Sequence, residues 1–484
     1  MRSFASFYAA TAVLSGSANA FWRMPCTDRT ALARLDPIVD EGTASSHSHT
    51  IHGGSNFAET TTYDMLRKSE CTSCQFDDDK SAYWTPSLHF VHENGKTEIV
   101  PQIGGMLAYY LLIGDNLEAF PEGFQMLAGD SRLRNFSGPV PDPPTSSWTA
   151  EDMTQQSLGQ KAIGMNCMNY GRAPEGSRYR HFLPTKEYMD ENCADGIRAE
   201  IMFPSCGNGE KTADDHKSHM AYPNMVDGGQ CPEGYNKRYP TLFYETIWNT
   251  NKFKGMPGQF TFSNGDPTGY GYHADFINGW NTDTLQSAVE TCTNLSGRVE
   301  DCPVFAGSLQ TQAEQAMCKI QDMPKILDVD DCAGPSNGLC GNVKVQYGPE
   351  YASPLEGGDK DDEEPVKPIV SSASAPVPTQ SYAPAHSLGG GGISVYNVES
   401  PATMVTKSSS SSSMAGYVAP VVTPIADIAN ALKDDEIVST STYTKDGVVY
   451  EVAIVEVVVT TTVGADRRRH AHKHRRDHGH MGRN

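Results

Sequence analysis

The alternation of apolar and polar positions changes character several times along the chain. Arg2 precedes a short apolar stretch, Phe7 to Leu14, which runs into the small-x-small triplet Ala18-Asn19-Ala20. That order predicts a signal peptide over residues 1–20, a mature chain starting at Phe21, and export from the cell. From 21 to 345 short apolar runs are cut by Gly, Pro, Asn and Asp. Ile197 to Phe203, Gly258 to Phe262 and Leu88 to His92 read as strands. Helical spacing is confined to Thr284–Cys292 (Leu285, Ala288, Val289, Cys292) and to Leu309–Ile320 (Ala313, Ala316, Met317, Ile320). Many short strands between turn residues predict a mainly β domain, a sandwich or jelly-roll-like fold with a few short helices.

Beyond it the pattern fades. Residues 346–436 hold an acidic run, Asp359 to Glu364, and the tracts Gly389–Gly392 and Ser408–Ser413. Such a stretch buries too little apolar surface to offset chain entropy, which predicts a disordered Ser/Thr/Pro/Gly-rich stalk. Residues 437–463 are rich in Val and Thr around Lys445-Asp446-Gly447, a hairpin signal. Residues 464–484 form a basic tail with five histidines, read as a solvated segment or as a weak metal or acidic-glycan contact. No segment is long and uncharged enough to span a bilayer, and the charged C-terminus argues against a lipid anchor.

Composition sharpens this. All twelve cysteines lie between Cys26 and Cys340, which in an exported chain predicts up to six disulfides with pairing left open. Cys71-Thr-Ser-Cys74 has half the spacing of a zinc ribbon, but no second pair follows, so disulfides are the expected use. A formal charge of -21 argues against a nucleic-acid partner. Asn135-Phe-Ser137 and Asn294-Leu-Ser296 are candidate glycosylation sites.

Candidate chemistry lies in three histidine groups. The first is His47-Ser-His49-Thr-Ile-His52, the second Asp214-Asp215-His216-Lys-Ser-His219, the third His273-Ala-Asp275. On a strand His47 and His49 share a face, as do His273 and Asp275; one helical turn would bring His216 and His219 together. Imidazoles beside imidazoles or carboxylates build metal sites and acid/base pairs. His47, His49, His216, His219 and His273 are therefore the candidate ligands of a divalent metal ion. His216, His273, Asp275, Asp215 and Tyr222 are the candidate catalytic groups, with Glu200 as a further carboxylate. Trp84, Asp266, Tyr272 and Trp280 are candidate sugar-binding residues. Hydrogen-bonded structural histidines are the alternative for every group, and His52, His89, His92 and His181 are assigned to it. No G-x-S-x-G elbow and no phosphate loop within the folded region appears, and a mature start at Phe21 removes an N-terminal histidine clamp for copper.

Asp36-Pro-Ile-Val, Ser46-His-Ser-His49, Gly53-Gly-Ser-Asn-Phe57 and Ser81-Ala-Tyr-Trp-Thr-Pro86 recur in fixed order with further strings. These are Phe120-Pro-Glu-Gly-Phe124, Phe203-Pro-Ser-Cys206, Asp215-His-Lys-Ser-His219, Asn264-Gly-Asp-Pro-Thr-Gly269 and His273-Ala-Asp-Phe-Ile-Asn-Gly-Trp280. Over roughly Leu35 to Cys292 the chain resembles the fungal secreted family Domain of Unknown Function nineteen-ninety-six. The resemblance implies export by a filamentous fungus and supplies no activity. It also departs from the family pattern, with Gly207 where a Trp usually follows Phe-Pro-Ser-Cys.

These readings lead to a secreted, cell-wall or extracellular polysaccharide-acting protein, a hydrolase or lyase, with a His/Asp-lined metal-binding site. The alternatives are a non-catalytic glycan-binding or structural wall protein and a metal-capturing protein that uses the tail.

Overall fold

The structure is a computed structural model that describes residues 20–327 and 330–355 and two strands, 437–445 and 448–455. Residues 1–19 of the expected signal peptide, the stalk from 356 onward, residues 456–463 and the basic tail lie outside the described residues.

Strands are numbered along the chain. One antiparallel sheet runs in the order β1 (Ala20–Cys26), β7 (Gln102–Leu112), β14 (Thr241–Trp248), β10 (Ile197–Met202), β9 (Ile163–Cys167). The second runs β2 (Ala31–Ala33), β3 (His49–Gly53), β4 (Ala82–Pro86), β16 (His273–Ile277), β8 (Gln125–Gly129). Side chains alternate across a strand, so each sheet divides its apolar residues between two faces. Ala108, Tyr110, Ala199, Ile201, Leu242 and Tyr244 of the first sheet share one core with Tyr83, Ala274 and Phe276 of the second. Tyr109, Leu111, Met202 and Phe243 point out of the first sheet, and Ile51, Ala82, Trp84 and Ile277 out of the second, each into a smaller cluster. The fold is thus a β-sandwich with both outer faces covered.

Smaller sheets buttress it: β15 (Gly258–Phe262), β5 (Leu88–His92), β6 (Lys96–Ile99) and β17 (Ser336–Asn337), and a short set of β12 (Met220–Ala221), β11 (Cys206–Gly207) and β13 (Lys237–Arg238). Gly207 lies under Tyr239, whose ring is 2.6 Å from where a Cβ would stand. A Trp there would require Tyr239 to move. Among the described residues helices are short, the longest being Thr282–Thr291, capped by the Asn281 side chain. The second expected helix covers only Gln312–Met317.

Buried hydroxyls and an indole stitch the sheets together. Tyr83 donates to Asp79 at 2.6 Å and meets the Tyr110 hydroxyl at 2.7 Å, and the Trp280 indole donates to Tyr110 at 2.8 Å. All twelve cysteines pair: Cys26–Cys74, Cys71–Cys318, Cys167–Cys193, Cys206–Cys231, Cys292–Cys302 and Cys332–Cys340. The Cys71/Cys74 pair is split between two bridges.

Ordered packing continues ten residues past the expected edge at 345. Ala352 donates to the Arg132 carbonyl at 2.8 Å, and Tyr351 donates to the Asp130 carboxylate at 2.7 Å. Within a separate unit, residues 398–484, β18 (Ile437–Lys445) pairs antiparallel with β19 (Val448–Val455), Lys445 opposite Val448. The expected turn at Asp446-Gly447 lies outside the described residues.

Candidate functional site

The outer face of the second sheet carries the site. On β16 Ala274 and Phe276 enter the shared core, which turns His273 and Asp275 outward with Ile277. Asp275 pairs with Trp84, Trp84 with Ile51, and His49 with Pro86, so His49 and His273 come level on either side of β4. His47 lies in the bend before β3 rather than on the strand. Its ring still reaches the same spot, with centroids 4.4 Å from His49 and 5.1 Å from His273. The bend is held by Ser45 N donating to Arg34 O and by Ser46 N donating to Asp40.

Hydrogen bonds define which lone pairs are available. His273 Nδ1 is 3.0 Å from the Gly271 carbonyl, which can only accept, so Nδ1 carries the proton and Nε2 presents a lone pair. That lone pair lies 3.1 Å from His47 Nε2, and His47 Nδ1 contacts Ser46 Oγ at 3.0 Å. His49 is fully buried with neither ring nitrogen hydrogen-bonded in full geometry, although the Leu35 carbonyl lies near it. Both carboxylate oxygens of buried Asp275 are likewise unpartnered. Each orphaned buried polar group costs roughly 1–3 kcal/mol. Together these atoms cost an appreciable part of a domain's usual stability of about 5–15 kcal/mol.

Asp36 completes the cluster. Its Oδ1 accepts from Ile38 N and Val39 N at 3.1 Å each, which fixes the carboxylate beside Trp84. Ligand-type atoms of His47, His49 and His273 lie within 4.8 Å of one another, and so do those of Asp36, His49 and Asp275. Burial holds His47 and His49 well below the usual imidazole range, with the neighbouring imidazoles adding to the effect, and lowers His273 to about 4. Burial raises Asp36 to about 7 and holds Asp275 well above the carboxylate range, the latter helped by Asp36. At neutral pH the histidines are therefore neutral, and the Lys217 charge offsets only part of the rise at Asp275.

The cluster floors a cleft of about 360 Å³, lined by His47 and His273 below and by His216, Lys217, Asp130 and Arg132 around the rim. Residues 352–355 form one wall. Arg134, only 1 % exposed, anchors that side by donating to the Ser131, Leu133, Asn264 and Gln346 carbonyls. Its Nε lies 3.6 Å from Asp266.

The expected residues divide clearly. His47, His49, His273 and Asp275 converge. His216 reaches the rim from a turn, where its φ of 59° is left-handed and the expected helical turn is absent. Asp215 sits beside it, exposed, and accepts from Lys217 N and Ser218 N, bonds that lower its pKa to about 2. His219 points away, with Nε2 2.7 Å from the Gln125 carbonyl and its ring against Phe124, which removes it from the ligand set. Tyr222 donates to Met202 O in the core behind the first sheet. Glu200 is also on that far face, ion-paired with Arg198 at 2.6 Å. Asp266 shapes the turn ahead of His273 by accepting from Thr268 and Gly271 N. Trp84, Tyr272 and Trp280 are fully buried, so no ring face is free for a sugar, and the stacking role gives way to core packing. Asn135 and Asn294 are exposed.

Two residues escaped the sequence reading, Asp36 and Arg134. A carboxylate inside Leu35-Asp36-Pro37-Ile38-Val39 is itself a burial signal, since apolar neighbours on both sides draw it inward.

No helix among the described residues is long and apolar enough to cross a membrane. No curated protein and no solved structure matches the chain. Residues 36–280, which begin at Asp36 and contain every member of the cluster, match the family described as "Domain of unknown function (DUF1996)", and the chain belongs to that family.

Proposed function

We propose that the protein is secreted and acts on an extracellular or cell-wall polysaccharide, with the work done in the cleft above His47, His49 and His273. One observation carries this reading. Buried, neutral imidazoles converge at the floor of a charge-rimmed cleft whose size suits a small-ligand site.

The chemistry follows from the lone pairs. His273 Nε2 is unprotonated at neutral pH and held in orientation by Gly271, as a base or a ligand must be. His216 and Lys217 at the rim supply proton donors to an oxygen leaving group. Asp275 is sealed beneath the cleft and Glu200 lies behind the other sheet, so neither serves as one of a glycosidase's two carboxylates here. Cleavage by imidazole-centred acid/base or metal chemistry, hydrolytic or eliminative, fits the groups that face the cavity. With the aromatic rings buried, sugar recognition falls to Asp130, Arg132 and Lys217 through hydrogen bonds and charge.

The test is product release from a panel of fungal and plant glycans by the full chain, its His273→Ala variant and its His216→Ala variant. Release by the parent, lost in His273→Ala and reduced at least tenfold in His216→Ala, is expected. Glycan pull-down without product, unchanged by either substitution, would replace the enzyme with a non-catalytic wall-binding protein.

A further inference from the structure

We infer that the buried cluster is a metal centre: one divalent ion of the zinc type, held by His47, His49 and His273, with Asp275 and Asp36 supplying its countercharge. The inference rests on the proposed function's imidazole cluster and deepens that reading by naming what occupies the floor of the cleft, adding the buried, unpartnered atoms of His49 and Asp275.

The His47–His273 contact alone has a plain alternative, an N–H···N hydrogen bond, since Ser46 can donate to His47 Nδ1. That alternative leaves His49 and Asp275 unexplained. Only one His49 ring nitrogen can face the Leu35 carbonyl, so the other stays buried and unpartnered beside the pair, as do both Asp275 oxygens, which group with His49. A cation among them satisfies His49 and Asp275 at once.

Distances agree. Tetrahedral ligands on a zinc ion bound at about 2.1 Å lie about 3.4 Å apart. The His47–His273 separation is 3.1 Å, and each triad spans no more than 4.8 Å, so closure needs a few tenths of an ångström for that pair and at most about 1.4 Å for any other within a triad.

Charge balance gives the count. Metal binding displaces the carboxyl protons and takes imidazole neutral, so one divalent ion is matched by the two carboxylates, whereas two ions would leave net positive charge in the core. The donor set, nitrogen with carboxylate oxygen and no thiolate, suits zinc and its first-row neighbours rather than calcium or magnesium. His49 belongs to both triads and is the pivot, with ligand-type atoms within 4.8 Å of the other two imidazoles and of both carboxylates. His273 already has its orienting partner in the Gly271 carbonyl.

The test uses the full chain with His470, His472, His474, His478 and His480 replaced by Ala, so that the tail does not compete. After equilibrium dialysis against micromolar zinc chloride, elemental analysis is expected to find about one zinc per chain. His49→Ala and His273→Ala retain less than a tenth of that, Asp275→Asn binds at least tenfold more weakly, and His219→Ala is unaffected. Full retention by His49→Ala and His273→Ala would overturn the inference. Should those variants fail to fold, the parent decides alone. A zinc-dependent rise in its melting temperature supports the centre, and no stoichiometric zinc, copper(II) or manganese with no such rise refutes it. Bound zinc without glycan product leaves the metal centre standing and removes the proposed function; product without bound metal does the reverse.

Discussion

Arg134→Leu tests how the fold holds the site in place. The guanidinium donates to four carbonyls, Ser131, Leu133, Gln346 and Asn264, at 2.8–3.0 Å. It also faces the Asp266 carboxylate at 3.6 Å, with both side chains essentially unexposed. Leucine fills part of the volume but leaves Asp266 as an uncompensated buried charge, a change that costs about 3–5 kcal/mol. Loss of the carbonyl contacts adds to this, and the site feels it directly. Asp266 accepts from Gly271 N at 2.7 Å, and the Gly271 carbonyl fixes the His273 tautomer. The assay is urea unfolding followed by tryptophan fluorescence, since Trp22, Trp84, Trp248 and Trp280 are buried. Arg134→Leu is expected to lower stability by about 4 kcal/mol. In the Asp266→Asn background the same substitution should cost about 2 kcal/mol less, the pairwise term of the cycle. Arg134→Lys should recover under half the loss, because an ammonium cannot present the planar fork that spans these acceptors. A loss below about 1 kcal/mol, or no coupling to Asp266, would refute the clamp.

Other perturbations test neighbouring claims. Burial raises Asp79 to about 6 from 3.8, so the folded protein holds that proton more tightly than the unfolded chain. Its cost is absent below about pH 4, grows between pH 4 and 6 and is complete above, on the order of 3 kcal/mol. Asp79→Asn should therefore flatten the fall in stability across that window in pH-dependent urea titrations. Tyr110→Phe leaves the buried Trp280 indole N–H without its acceptor and should cost about 1–3 kcal/mol by the same assay. Cys71→Ser with Cys318→Ser opens a bridge of sequence separation 247 and should cost about 2–5 kcal/mol in thermal scans. His219→Ala should destabilise through its lost contact with Gln125 and Phe124 while leaving metal content unchanged.

Local signals survived into the fold where they were self-contained. The strands at Leu88–His92, Gly258–Phe262 and Ile197–Met202 follow the apolar runs, because period-two patterning is a property of the segment itself. The period-two pairing of His273 with Asp275 holds for the same reason, since both leave one face of β16. What was not legible depends on distant partners. His219 differs from His49 only in where the 214–219 turn carries it, and nothing within that turn encodes the Gln125 carbonyl it meets. Trp84, Tyr272 and Trp280 were ambiguous between core and sugar platform until the second sheet and its cover were in place. Asp36 comes from the loop that roofs β3 and β4, so its approach to His49 and Asp275 exists only in the assembled fold. Disulfide pairing is of the same kind, Cys71 finding a partner at Cys318 rather than its neighbour Cys74.

Crystals of the full chain grown or soaked with zinc, measured on both sides of the zinc absorption edge, put the cluster to its most direct trial. A single strong anomalous peak about 2.1 Å from nitrogens of His47, His49 and His273 is the predicted result. An empty cluster in such crystals, with His49 and Asp275 still unpartnered and zinc found only elsewhere on the chain, would contradict it.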